Sequence, residues 1–146
     1  MALYSKLLLA IDFASQTETL CQHAASMAQI HGATLSLVHV VEPVVTDSAF
    51  DTLPPLPVDF DDLLVRQARK RLEEMGKRYG IAEQNLFLEI GVTKREILRV
   101  AEQQRVDLIL VGSHGRHGVE LLLGSTANAV LHHAKCDVLA IRLESE

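Results

Sequence analysis

Short apolar runs alternate along the chain with longer segments whose apolar side chains recur at helical spacing. This alternation predicts strands separated by helices. Four runs are predominantly apolar, and the first of them is continuous, as expected for a central strand buried on both faces, whereas a fifth alternates apolar with polar side chains and predicts a less buried strand. The apolar strands are predicted at 6–12, 34–41, 106–111 and 137–143, and the less buried one at 85–90.

Four helices are predicted between the strands, and short motifs mark their ends. Ser15–Glu18 and Thr93–Glu96 have the spacing of a capping box, in which a hydroxyl and a Glu three residues later bond free backbone amides. Gly32 and Gly80 are natural C-terminal stops, because glycine adopts the left-handed conformation without strain. The helices are predicted at about 15–30, 60–79, from 93 onward, and at about 124–133.

All four prolines of the chain fall within residues 42–59. Proline lacks a backbone donor and breaks helices, so this stretch is neither a central strand nor an uninterrupted helix. We expect a long surface loop here, and loops of this length are often either functional or disordered.

The predicted order of elements is β-α-β-loop-α-β-α-β-loop-α-β. Strands joined by crossover helices run parallel with right-handed connections. The fold class is therefore α/β, a Rossmann-like doubly wound sandwich, and 146 residues are most simply a single domain, 1–146. Such sheets bind ligands outside the carboxyl ends of strands where the strand order reverses, and Asp12, Val40 and Gly112 lie at such ends.

The segment 112–126, GSHGRHGVELLLGST, lies between a predicted buried strand and a predicted helix. Glycine allows close approach of the backbone to another group, and a Gly/Ser/Thr turn at a helix N-terminus presents free N–H groups and a positive dipole end. These features predict a site for phosphate or a nucleotide. Arg116 could add a charge-assisted contact to a phosphate group.

Charge and composition argue against several classes of partner. The net charge is −5 with a pI near 5.8, and the aromatic content is 4% with no Trp. We therefore expect no binding to nucleic acid and none to a membrane. The apolar run 7–11 is too short for a signal peptide or a membrane helix. Cys21 and Cys136 are expected to be reduced thiols, so a cytoplasmic location is predicted.

Histidines cluster near the glycine-rich segment. His114 and His117 form His-x-x-His, and His132 and His133 follow on the next helix. No cysteine or carboxylate at ligand spacing joins the first pair, so we expect structural or solvent-facing histidines and no metal site. His39, at the end of the second strand, is expected to be packed or hydrogen-bonded rather than catalytic.

Two roles are open for Asp12: a residue that leads into the first helix, or a polar group that binds the base or sugar of a ligand. A general base, a nucleophile and an orienting group cannot be assembled from the sequence, so no catalytic residue is predicted. Slow hydrolysis or transfer of a phosphoryl group from a bound nucleotide is the most that Asp12, Arg116 and the hydroxyls of Ser113, Ser125 and Thr126 would support.

The last predicted strand, 137–143, is apolar on both faces, and no further helix follows it. An exposed apolar edge strand is prone to pair with another chain. A second copy that covers this strand across a two-fold axis is the simplest remedy, so a homodimer through residues 137–143 is predicted.

Taken together, these segments resemble the universal stress protein family over essentially the whole chain. The residues that carry the resemblance are Lys6–Asp12, Leu37–Val40, Gly91–Ile97, Val106–Gly115, Leu123–Ser125 and Cys136–Ile141. The resemblance implies a five-stranded parallel sheet in the order 3-2-1-4-5 and a homodimer paired through the last strand.

Many members of that family bind ATP through the pattern G-x2-G-x9-G-[ST]. Carried over to this chain, the resemblance implies ATP or a related adenine nucleotide, with Mg²⁺ as a candidate companion ion. The adenine and ribose would meet Ala10, Asp12 and Val40, and the phosphates would meet Gly112, Gly115, Arg116, Gly124, Ser125 and Thr126.

This chain departs from the family pattern in the spacing of its glycines. Only the residues Arg116–Leu123 lie between Gly115 and Gly124, which is one residue fewer than the pattern requires. Members of the A-type lack nucleotide binding and also diverge in this loop, although this chain keeps the Gly124–Thr126 sequence. The alternative is therefore an A-type protein that binds no nucleotide and acts as a dimeric protein-interaction module.

Overall fold

A computed structural model describes residues 3–43, 60–113 and 124–143 of the chain. Most of the predicted 42–59 loop and residues 114–123 of the glycine-rich segment, with Gly115 and Arg116, lie outside the described residues. The strands are β1 (Lys6–Ala10), β2 (Thr34–Val41), β3 (Leu86–Ile90), β4 (Leu108–Gly112) and β5 (Asp137–Ile141). The helices are α1 (Thr17–His31), α2 (Phe60–Arg78), α3 (Thr93–Gln103) and α4 (Ser125–His133), with a short 3-10 helix at Glu83–Asn85.

The five strands form one parallel sheet in the order β3-β2-β1-β4-β5. This order confirms the expected α/β doubly wound architecture. β1 lies at the centre, and the strand order reverses between β1 and β4. The carboxyl ends of β1, β2 and β4 therefore meet at one edge of the sheet, where a ligand site is expected.

Two apolar layers cover the sheet, one on each face. Leu7 and Leu9 of β1 face the side of α1 and α2, whereas Leu8 faces α3 and α4. All three leucines are fully buried. Their alternation explains the uninterrupted apolar run, since a central strand in this fold is covered on both faces.

Both predicted capping boxes are wrong in their geometry. Helix α1 begins at Thr17, whose N–H and hydroxyl both donate to the carbonyl of Ala14, at 3.0 and 2.8 Å. Helix α3 begins at Thr93, which is itself helical and has its partner, Glu42, outside the helix. The motif was present in the sequence, but donors and acceptors from neighbouring segments bond these helix ends instead.

The predicted helix stops are confirmed, and β3 is less buried than β1, β2 and β4, whereas β5, at the other edge, is no more buried than β3. Gly32 and Gly80 have φ angles of +62° and +67°, the left-handed conformation expected after a helix. β3, the predicted less buried strand, lies at one edge and is at most half-buried along its length.

Four of the five strands are shorter than predicted, among them β3, which begins at Leu86, and β5, which ends at Ile141. β4 begins only at Leu108 because the Val106 N–H still bonds the Ala101 carbonyl of α3, at 2.9 Å. β1 ends at Ala10, although the Ile11 N–H continues the ladder to Val38 at 2.9 Å. Across the described ranges, no helix has the length and apolar character needed to cross a membrane.

Candidate functional site

A cavity of about 140 Å³ opens at the carboxyl edge of the sheet, at the point where the strand order reverses. It brings together residues that lie far apart in sequence. Seven predicted site residues line it: Ala10, Asp12, Val40, Gly112, Gly124, Ser125 and Thr126. Sites that enclose a drug-sized ligand usually measure roughly 300–1,000 Å³, so this cavity is smaller than a site that would enclose a whole ligand of that size.

The cavity has an apolar floor and a polar rim. Its apolar lining comes mainly from the α3 and α4 side of the sheet and includes Val38, Val40, Ile97, Val111 and Ala127. The polar lining comes from the first turns of three helices and the β1–α1 connection. These polar residues are Asp12, Gln16, Thr17, Thr93, Ser125 and Thr126. A flat apolar group can therefore lie on the floor while polar groups meet the rim.

Gly112 lies at the carboxyl end of β4, and its missing side chain makes room for packing. A Cβ added at Gly112 would lie 3.0 Å from Cδ1 of Leu143 and 3.4 Å from Cδ1 of Leu20. The next residue, Ser113, is buried, and its hydroxyl accepts the Leu143 N–H at 3.3 Å. A side chain at 112 would therefore have to displace Leu143, one of the apolar residues that line the cavity.

The N-terminus of α4 faces the cavity without a side-chain cap. The Gly124 N–H donates to the Ser113 carbonyl at 2.9 Å, and the Gly124 carbonyl accepts the Asn128 N–H at 2.9 Å. The intervening amides, those of Ser125, Thr126 and Ala127, have no partner within the helix. They present the positive end of the helix dipole to the cavity, which favours an anion.

The N-terminus of α3, by contrast, is already bonded to an anion. The Glu42 carboxylate, just after β2, accepts the Thr93 N–H at 3.1 Å and the Thr93 hydroxyl at 2.8 Å. These two hydrogen bonds lower the pKa of Glu42. Glu42 thus takes the place of an external anion at this helix, and no local pattern indicates this pair because 51 residues separate the partners.

The β1–α1 connection is held by its own hydrogen bonds. Asp12 is exposed, and its Oδ1 accepts the Ala14 N–H at 2.9 Å. The bond fixes the local turn, and Asp12 lies in the lining of the cavity. Both roles that the sequence left open for Asp12 are therefore compatible with its position.

Beneath this connection lies a cluster that the sequence did not predict. Phe13 has a φ of +59°, rare for a residue with a large side chain. Its ring contacts the His39 ring, with centroids 4.4 Å apart, and the Arg71 guanidinium lies over it. The His39 Nδ1 is 2.7 Å from the Ile11 carbonyl, so His39 is packed and hydrogen-bonded as expected. Burial lowers the pKa of His39, the largest of several effects.

Within the described ranges, no three His, Cys, Asp or Glu side chains are grouped closely enough to hold a metal ion. His114 and His117 are outside those ranges. Cys21 and Cys136 are free thiols, and burial raises the pKa of Cys21 to about 11. A buried thiol of that pKa is a poor nucleophile, which agrees with the expected structural role.

The described residues of the cavity have the chemical groups that an adenine nucleotide would need. The apolar floor suits a base, the amides of the first turn of α4, which have no partner within the helix, suit phosphate, and Asp12 is the carboxylate of the described lining that could meet a ribose or a metal ion. Gly115 and Arg116, which the resemblance also implies, are not among the described residues.

Comparison with known proteins decides the family. The model of the universal stress protein family matches residues 3–142. This chain belongs to the universal stress protein family. Among its relatives, Universal stress protein A homolog 2 of Coxiella burnetii is 41% identical over 142 residues, covering 97% of this chain and 97% of that one.

Solved structures of universal stress proteins have the same fold. The protein UspA from Lactobacillus plantarum superposes with a TM-score of 0.75 at 27% identity, covering 95% of this chain and 98% of that one. A universal stress protein in complex with cAMP superposes with a TM-score of 0.59 at 20% identity, covering 94% and 96% of the two chains. At 20% identity this second likeness shows the fold alone.

Proposed function

We propose that this chain is a cytoplasmic stress-response regulatory protein that binds ATP or a related adenine nucleotide in the cavity at the carboxyl edge of the sheet. One observation carries the proposal: the uncapped N-terminus of α4 faces a cavity whose floor is apolar. A universal stress protein of the same fold forms a complex with cAMP, itself an adenine nucleotide, which supports this ligand class.

The charges around the cavity assign an orientation to the ligand. The phosphates bind the amides of Ser125, Thr126 and Ala127, because the α3 N-terminus already bonds Glu42. The base and ribose then lie toward β1 and β2, over Ala10 and Val40. Asp12 is the residue that would hold a Mg²⁺ ion brought in by the phosphates, with water completing its coordination.

The variant Gly124→Asp tests this assignment. Gly124 has φ −58° and ψ 155°, which other residues adopt freely, and Asp is a preferred N-cap. The variant should therefore fold with an unchanged or slightly higher melting temperature. Its carboxylate would compete with phosphate for the α4 amides, so ATP binding should fall below detection in isothermal titration calorimetry.

Ala82→Asp is the matched control, because it adds the same charge at an exposed position before the 3-10 helix, at the opposite edge of the sheet. ATP affinity should be unchanged in this variant. Equal ATP affinity in Gly124→Asp and the unaltered protein would overturn the site assignment. The absence of any calorimetric or thermal response of the unaltered protein to millimolar ATP would overturn nucleotide binding itself.

The second candidate function is a nucleotide-free protein-interaction module, as the resemblance implies for A-type members. The name of the Coxiella relative, a homolog of universal stress protein A, favours this candidate. Mass spectrometry of the purified protein separates the two: co-purified nucleotide supports the first, and its absence with no response to added nucleotide supports the second.

For both candidates we propose a homodimer paired through residues 137–143. β5 is an edge strand, bonded only to β4 within the described sheet. Ala140 is exposed, and Val138 and Leu139 remain partly exposed. A second copy of this strand would bury these side chains and satisfy the free edge.

A further inference from the structure

The hydrogen bonds of Thr93 bear on which nucleotide base the cavity prefers to bind. This inference rests on the proposed nucleotide site. Thr93 is the first residue of α3 and lines the cavity on the side of β2. Its neighbours in that part of the lining, Val38, Val40 and Ile97, are apolar. Among the described residues of this wall, Thr93 is therefore the one side chain that can form a hydrogen bond to a ligand.

The single proton of the Thr93 hydroxyl is already donated in a hydrogen bond within the protein. A threonine hydroxyl has a single proton and two lone pairs. The Oγ1 of Thr93 lies 2.8 Å from Oε1 of Glu42, and an ionised carboxylate can only accept. The low pKa of Glu42 keeps that carboxylate ionised at neutral pH. Toward the cavity, the Thr93 oxygen can consequently act only as an acceptor.

The position of Thr93 places it near the base end of the ligand. The phosphate site at α4 lies on the side of β4 and β5, whereas α3 packs on β2 and β3. β2 and β4 are separated by β1 alone, so the two walls are about 10 Å apart, twice the spacing of neighbouring strands. The Glu42 carboxylate beside Thr93 also repels phosphate from this wall.

We propose that the Thr93 hydroxyl, held as an acceptor by Glu42, selects a purine that carries an exocyclic amino group over one that carries a carbonyl at the same position. Adenine donates to the Thr93 oxygen through its 6-amino group. Hypoxanthine presents a carbonyl there, and two acceptors then face each other without a proton between them. Glu42 is the positioning residue and Thr93 the specificity-determining residue.

The test compares the affinities of the unaltered protein for ATP, for inosine triphosphate and for purine riboside triphosphate, which has only hydrogen at the 6 position. Loss of one neutral hydrogen bond should weaken purine riboside triphosphate about threefold to tenfold relative to ATP. Inosine triphosphate should bind roughly tenfold or more weakly than ATP, since the hydrogen bond is lost and its 6-carbonyl also faces the Thr93 oxygen as a second acceptor.

Variants of Thr93 and Glu42 distinguish a role in selecting the base from a purely structural role. Thr93→Val should bring the ratio of the ATP and inosine triphosphate affinities close to one, and Thr93→Ser should keep it. Glu42→Ala frees the hydroxyl proton, so inosine triphosphate should gain affinity while ATP does not. Thr34→Val and Glu83→Ala, both at exposed positions at the other edge of the sheet, are the matched controls and should keep the unaltered ratio.

The outcomes distinguish this inference from the function on which it rests. If the unaltered protein binds none of the three nucleotides, the proposed function fails and the inference fails with it. If it binds ATP and inosine triphosphate equally, or if Thr93→Val discriminates as well as the unaltered protein, nucleotide binding stands and only the role of Thr93 is overturned.

Discussion

The guanidinium of Arg71 lies over the ring of Phe13, with Cζ 4.5 Å from the ring centroid, and its Nη2 donates to the Phe13 carbonyl at 3.3 Å. The ring is also in contact with His39, with the two centroids 4.4 Å apart. Phe13 has a left-handed φ of +59°, which costs free energy that the surrounding contacts must offset. A residue of α2 thus holds the connection that carries Asp12.

We expect Arg71→Met to lower the free energy of unfolding by about 1 kcal/mol, because the cation–π contact and the bond to Phe13 are both lost. Arg66→Met is the matched control, since Arg66 is an exposed residue of the same helix. Urea denaturation of the two variants measures the difference. Equal effects of the two substitutions would contradict a role of Arg71 in holding the connection.

Stability should depend on pH through His39. Its pKa is lowered in the folded protein, chiefly by burial, with Arg71 adding to the lowering and Asp12 and the Ile11 carbonyl opposing it. The unfolded chain therefore binds a proton more readily. The contribution of neutral His39 is fully present above the unfolded pKa of about 6.5 and is lost as the pH falls below it.

The measurement is the free energy of unfolding between pH 8 and pH 5 for the unaltered protein and for His39→Asn. The variant should lose part of the decline toward low pH. His23→Gln changes an exposed histidine of α1 and should leave more of the decline in place. A pH profile that is the same in the His39 variant and the unaltered protein would rule out this linkage.

Gly112→Ala should destabilise the protein by about 1–3 kcal/mol, because the new Cβ would lie 3.0 Å from Cδ1 of Leu143. Leu143→Val removes that methyl group and opens space for the Cβ. The double variant should therefore lose less stability than the sum of the two single variants. Strict additivity in chemical denaturation would show that the two side chains do not meet.

Proline substitutions in β5 test the proposed dimer. The Ile141 carbonyl accepts the Ser113 N–H at 2.8 Å, so Ile141 and Leu139 direct their backbone groups toward β4. Ala140, between them, directs its N–H toward the free edge. Ala140→Pro should leave the ladder to β4 intact and shift the protein from dimer to monomer in sedimentation velocity.

Leu139→Pro is the contrasting variant, since it removes a donor that faces β4. We expect it to lower the melting temperature strongly, whereas Ala140→Pro should lower it little apart from the loss of the dimer. A dimer that persists in Ala140→Pro would argue against pairing through this edge.

Much of the architecture was predictable because it depends on local patterns. The mostly apolar runs predicted β1, β2, β4 and β5, since a strand covered on both faces, as β1 is, leaves few polar positions. The alternating run predicted the less buried β3. Gly32 and Gly80 ended their helices as expected, because the left-handed conformation is a property of the residue itself.

Capping was less predictable, because the amides at a helix end bond whichever acceptor the tertiary structure brings near. The box at Thr93–Glu96 had the required residues, yet Glu42 supplies the acceptor for Thr93 while Glu96 bonds Arg99. The backbone conformation of Phe13 could not be predicted from the sequence for the same reason. Its left-handed φ depends on contacts with His39 and Arg71, and no local pattern in the sequence indicates it.

The sequence by itself determined the fold class and the strands, because burial periodicity and helical crossovers leave few arrangements of a parallel sheet, and it predicted the edge at which we propose a ligand site. The tertiary structure decided which helix end is open to an anion. Glu42 bonds the start of α3, while α4 has no side-chain cap, and this difference arises from the arrangement of segments distant in sequence. It also decided that Gly112 makes room for Leu143, a contact that forms only when β4 and β5 lie side by side.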